Sequence, residues 1–217
     1  IWLLGDSFVF GWGLSWAETL GAQLKALLPD GSEVYNLGVP GYGLTQSFIR
    51  FQAASDELPH PDAVFLVANP LDLMDDLQRS TLIFERPSMD CVLEGGPACA
   101  PSGPGTLHWL LWQQSTAYRN IRFFLEQRRN PPEFSQGSRE RFMEIVDQMH
   151  TAVVRKGAKF FPVLHIPERW AGEDGAAGNV PGDRWVDITR NLRQMVAGGV
   201  QVQRDGIHWT PMATGKV

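Results

Sequence analysis

Two stretches of this chain are apolar at every or nearly every position. They are Ala63–Ala68 (Ala-Val-Phe-Leu-Val-Ala) and Lys159–His165. A strand with one face in water alternates apolar and polar residues. A run that is apolar on both faces suits a parallel sheet covered by helices on each side. Ile1–Leu4 is a third run of this kind, ended by Gly5, and Glu33–Leu37 reads as a fourth strand. Helical spacing falls between them. Ser15-Trp-Ala-Glu18 has the pattern of a capping box ahead of Leu20, Leu24, Leu27 and Leu28, and Pro29-Asp30-Gly31 stops that helix. Further helices are expected at Leu44–Ser55, Thr116–Arg129, Ser135–Arg155 and Asp187–Val196, with a last strand near Val200–Gln203. Strand–helix alternation of this kind predicts one three-layer α/β/α domain over the whole chain. At 217 residues, 43% of them hydrophobic, there is ample material for its core. Met143, Met149 and Met195 fall at helix core positions.

About ninety residues separate the two apolar runs. From about Leu77 to Gly105 they are rich in Pro and Gly and read as an insertion or lid. The two cysteines, Cys91 and Cys99, lie there in an irregular loop that can close on itself. They read either as a disulfide, which would point to an extracellular or periplasmic location, or as two unrelated thiols in a surface insertion. Metal binding by them is not expected, because His108 lies outside zinc-ligand spacing. Residues 171–183 read as a mobile loop. The formal net charge is −5 and the 19 basic residues are scattered, so no nucleic-acid surface is expected. No run approaches the roughly 20 apolar residues of a membrane helix. No signal peptide is legible. The chain opens inside a strand and closes in a helical pattern, so both ends read as trimmed.

The chemistry is concentrated at the two ends. A tight turn directly after a strand lifts a side chain to the carboxyl edge of the sheet, where open α/β sheets hold ligands. Gly5-Asp6-Ser7-Phe8 is such a turn. Taken alone, Ser7 reads as a helix cap. However, Asp205-Gly-Ile-His208 puts a carboxylate and an imidazole three residues apart at the other end of the chain. There His208 would take the Ser7 proton, while Asp205 would fix its tautomer and stabilise the imidazolium.

With these residues in place, the chain resembles the SGNH hydrolases, also called the GDSL family. The resemblance runs over nearly the whole chain in four ordered blocks. Gly5-Asp6-Ser7-Phe8 looks like the first block, with Ser7 as nucleophile. Asn36-Leu-Gly-Val-Pro-Gly41 looks like the second, and Asp205-Gly-Ile-His208-Trp209 like the last. Asn69 matches the asparagine of the third. The resemblance implies a flavodoxin-like sheet of about five parallel strands and acyl-ester hydrolysis or transfer without a cofactor. It also implies an oxyanion hole formed by the N–H groups of Ser7 and Gly41 and the side-chain amide of Asn69, with Gly38 as the alternative to Gly41. A strand-end cap is the plainer reading of Asn69, and a turn glycine that of Gly41.

The third block departs from the family pattern of Gly-x-Asn-Asp. Here it reads Ala68-Asn69-Pro70-Leu71-Asp72, and Asp72 carries no assigned role. Trp12, Tyr42 and Trp209 flank the blocks and read as substrate-pocket walls or as ordinary packing. His165 reads as a core or rim residue. Three functions share these residues: an esterase acting on short-chain or acetyl esters, an O-acyltransferase that delivers the acyl group to a glycan hydroxyl, and a non-catalytic binding domain. The expected partner is a small-molecule or glycan ester.

Overall fold

The computed structural model describes residues 1–69, 72, 89–92, 98–101, 136–164, 186–188, 194–199 and 209–214. The elements, in order, are β1 (Trp2–Leu4), α1 (Ser7–Phe10), a 3-10 turn (Trp16–Glu18), α2 (Leu20–Leu27), β2 (Tyr35–Asn36), α3 (Leu44–Glu57) and β3 (Ala63–Ala68). They are followed by β4 (Met89–Val92), β5 (Ala98–Pro101), α4 (Gln136–Arg155), β6 (Lys159–Leu164), β7 (Val186–Asp187) and a short helix, Pro211–Thr214.

Five strands form one sheet in the order β2-β1-β3-β6-β7, and every pairing in it is parallel. The sheet is the expected flavodoxin-like 2-1-3-4-5 arrangement. From β1 the chain moves outward to β2, then returns to the other side of β1 as β3. The switch point of the sheet therefore lies between β1 and β3, and ligands bind at the carboxyl ends of strands at such points.

Side chains alternate across the sheet with the two-residue period of a strand. Trp2, Leu4, Val64 and Leu66 enter a core under α3 and α4 with Phe48, Phe51, Ile145, Met149 and Val153. Leu3, Val67 and Val163 enter the opposite core with Phe8, Val9, Ile188 and Trp209, and Leu20, Leu24 and Met195 pack against it. Burying each large side chain contributes roughly 1.5–3 kcal/mol. Two such faces account for strands that are apolar throughout. Met149 is fully buried and Met143 partly so, as their helical spacing predicts.

Several elements differ from expectation. The capping pattern at Ser15 closes the 3-10 turn, where the Glu18 carboxylate accepts from both the backbone N–H and the hydroxyl of Ser15. Thr19 then caps α2 itself by accepting from the Ala22 N–H. Leu27 has the helical spacing of the other leucines but is 81% exposed. β2 is limited to Tyr35–Asn36, although backbone bonds from Ile1 to Glu33 and from Leu37 to Leu3 prolong the association. The helix expected to start at Asp187 does not start there. Val186 and Asp187 are a strand paired with Val163 and Leu164, and the Ile188 N–H donates to the Leu164 carbonyl. The open edge of β6 offers backbone partners that an isolated helical turn lacks. Within this region the described helical turn covers only residues 194–197.

β4 and β5 form an antiparallel hairpin lying against α3, so this part of the Pro/Gly-rich insertion is a ladder rather than an irregular loop. The expected helix at Thr116–Arg129, the loop at 171–183, the strand at Val200–Gln203 and His165 lie outside the described residues. Among the described residues, no helix is long and apolar enough to cross a membrane, and no cluster of His, Cys, Asp or Glu has the make-up of a metal site.

Candidate active site

Ser7 is the first residue of α1, directly beyond the carboxyl end of β1. The cap of that helix is Asp6, whose carboxylate accepts from the Phe8 N–H at 2.9 Å. The helix-cap reading of Ser7 therefore does not hold. Its own carbonyl accepts from the N–H groups of Gly11 and Trp12, which holds the short helix tightly against the turn. The turn is sharp because Gly5 has φ 149° and no side chain. A Cβ there would lie 2.6 Å from the Val67 carbonyl oxygen and 2.7 Å from Val9 Cγ2. Only glycine permits this approach between the first turn and β3.

The second block packs directly on α1. Asn36 Nδ2 donates to the Val9 carbonyl at 2.7 Å, and Asn36 Oδ1 accepts from the Gly38 N–H at 3.0 Å. The Val39 N–H donates to the Gly5 carbonyl, extending backbone pairing past the strand ends to the serine turn. A Cβ on Gly38 would meet Phe10 N at 2.6 Å. These contacts separate the two glycines proposed from sequence. Gly38 is a packing position whose N–H is already engaged by Asn36. Gly41 is exposed, with φ 75°, and its N–H makes no hydrogen bond to a described residue.

Asn69 directly follows β3 and is buried. Its Nδ2 lies 3.3 Å from Asp6 Oδ2, so the first and third blocks meet across the switch point. Asp72 holds it from the other side. The Asn69 backbone N–H donates to Asp72 Oδ2 at 2.8 Å and its Nδ2 to Asp72 Oδ1 at 3.0 Å, while the Asp72 N–H returns to the Asn69 carbonyl at 3.1 Å. Asp6, Asp72 and Asn36 are the site residues that sequence reasoning left without roles. The signal for Asp72 was its three-residue spacing from Asn69 across a proline; nothing local signals the contact from Asp6.

Trp209 is 2% exposed, and its ring lies 5.1 Å from that of Phe8. This burial favours the packing reading of Trp209 over the pocket-wall one. Trp12 is 41% exposed and Tyr42 partly buried, so both remain accessible to a substrate. The exposed ring of Phe10 lies 6.5 Å from that of Trp12. Asp205 and His208 lie outside the described residues. The described parts thus bring together Ser7, Asn69 and the second block around one sheet edge, with two buried carboxylates beside them.

No family model matches the sequence, and no curated protein matches it. Solved structures do. TesA aligns with 98% of this chain and 90% of its own, at TM-score 0.52 and 18% identity. A lipolytic protein of the G-D-S-L family from Veillonella parvula covers the same shares at TM-score 0.46 and 10% identity. AlinE4, an SGNH-hydrolase family esterase, covers 91% of this chain and 90% of its own at TM-score 0.36 and 17% identity. At these identities the likeness concerns the fold, and function has to be argued from the site. The chain shares the parallel α/β fold of TesA, and its four sequence blocks resemble those of the SGNH hydrolases.

Proposed function

We propose that this chain is a serine esterase that hydrolyses short-chain acyl esters, acetyl esters in particular. The observation that carries the reading is the position of Ser7. It sits at the first residue of α1, above the switch point, within one residue of a carboxylate that contacts Asn69. The fold is one that supports ester hydrolysis. A second observation supports bringing the chain ends together. Phe8 follows Ser7, Trp209 follows His208, and the two rings pack on each other.

In this reading His208 takes the Ser7 proton as Ser7 Oγ attacks the ester carbonyl. Asp205 orients the imidazole and stabilises its charged form. The carbonyl oxygen becomes an alkoxide held by the N–H groups of Ser7 and Gly41 and the Asn69 amide, each donor contributing about 3–4 kcal/mol. The tetrahedral intermediate collapses, the C–O bond breaks, and the alcohol leaves with the proton carried by His208. Water, deprotonated by His208, then attacks the acyl-enzyme and releases the acid and Ser7.

The test is labelling with a fluorophosphonate alongside hydrolysis of an aryl acetate. The folded protein should label at Ser7 and release acetate, and S7A should do neither. Absence of labelling on the folded protein would sink the enzyme reading. An oligosaccharide acceptor in the same assay distinguishes transfer, which would appear as acetylated sugar in place of acetate.

A further inference from the structure

Asn69 is gripped by two buried carboxylates, and the grip is selective for one face of its side chain. Asn69 Nδ2 is 3.0 Å from Asp72 Oδ1 and 3.3 Å from Asp6 Oδ2, and all three residues are at least nine-tenths buried. An amide nitrogen carries two hydrogens, and ionised carboxylates only accept. Rotating the amide by half a turn would set its oxygen against both carboxylates, with no hydrogen between them. The carboxylates therefore specify which end of the amide faces the serine turn.

The two are not equivalent. Asp72 binds Asn69 twice, through the backbone N–H at 2.8 Å and through Nδ2, and its own N–H donates to the Asn69 carbonyl. Asp6 Oδ2 lies farther from Nδ2, at 3.3 Å, and its other oxygen accepts from the Phe8 N–H. We propose that Asp72 is a positioning residue that holds the Asn69 amide in donor orientation, while Asp6 is a stand-in acceptor for the hydrogen that the reacting oxygen takes over. This rests on the esterase reading above. On attack, the Asn69 hydrogen bonded at 3.3 Å passes from Asp6 to the alkoxide, while the hydrogen held by Asp72 stays in place.

Asp72→Asn is a sharp probe. It leaves one acceptor oxygen where two N–H groups need one each and turns an NH2 toward a donor. In the folded enzyme, D72N should lower kcat about tenfold or more with KM within about twofold, and N69A alone should lower kcat roughly 10²–10³-fold. In the N69A background, D72N should change kcat by less than about threefold, because its effect runs through Asn69. An undiminished effect of D72N in that background, or none in the parent enzyme, overturns the proposal. Labelling of Ser7 by the fluorophosphonate reports the parent reading separately. If Ser7 labels and S7A is inactive but N69A keeps full kcat, the esterase reading stands and the positioning proposal falls. If D72N does not fold, the wild-type protein still decides. In side-chain amide NMR spectra, phosphonylation of Ser7 should move one Asn69 proton and leave its partner. Movement of both or of neither overturns the proposal.

Discussion

Phe8 and Trp209 are 201 positions apart in the chain, yet their ring centroids lie 5.1 Å apart at 58°. Each is the immediate neighbour of a residue proposed for catalysis, Ser7 or His208. Thr214 reinforces the same junction, because its hydroxyl donates to the Glu18 carbonyl at 2.8 Å. The late segment is thus packed onto the elements around Ser7 by apolar burial and a hydrogen bond.

Replacing Trp209 tests how far that packing holds the fold. Trp209→Ala removes a large, fully enclosed side chain and should cost about 3–5 kcal/mol, read from urea unfolding. Trp209→Phe keeps an aromatic ring on Phe8 and should cost about 1–2 kcal/mol. Equal losses for the two would show that the Phe8 contact contributes little.

The first turn makes a second test. Gly5→Ala forces a methyl group to 2.6 Å from the Val67 carbonyl oxygen at φ 149°. Gly31→Ala carries only the strain of a positive φ, since a Cβ there meets nothing within 4 Å. The control should cost about 1–2 kcal/mol. Gly5→Ala should exceed it by at least about 2 kcal/mol in the same denaturation experiment and reduce esterase activity with it.

The proposed triad predicts an order of effects. Ser7→Ala and His208→Ala should each lower kcat by roughly 10⁶-fold, and the double variant should be no worse than either. Asp205→Ala should be milder by about tenfold or more, because it orients the base without exchanging protons with the substrate. Steady-state rates on an aryl acetate measure this. Full activity in His208→Ala would require another base.

The cysteines provide a test in the insertion. Cys91 and Cys99 are opposed partners in the β4–β5 ladder. Opposed Cα atoms in antiparallel strands lie roughly 4.5–5.5 Å apart, within the range a disulfide spans. We propose a disulfide there, which would stabilise the hairpin by about 2–3 kcal/mol and would point to an extracellular or periplasmic location. Intact mass should rise by two hydrogens on reduction. Free thiols in protein purified from an oxidising compartment would refute the pairing.

Much of this is legible in the sequence. Three central strands, α3 and α4 emerge from periodicity to within a few residues, because each is long enough or apolar enough for its pattern to be local. Ser7 and Asn69 could be placed at strand ends for the same reason. The two-residue strands were harder. β7 looked like the start of a helix because nothing in Val186-Asp187-Ile188 shows that β6 has a vacant edge.

Sequence alone determined the alternation of strand and helix, the glycine turn carrying Ser7, and the order of the four blocks. Tertiary structure decided that the Gly38 N–H is engaged by Asn36, that Trp209 is packing, and that Asp6 and Asp72 converge on Asn69. The difference is physical. Strand and helix patterns depend on neighbours a few positions away. Hydrogen-bond partners such as Asp6 and Asn69, 63 positions apart, meet only because β1 and β3 pair in register, and that pairing depends on the whole sheet.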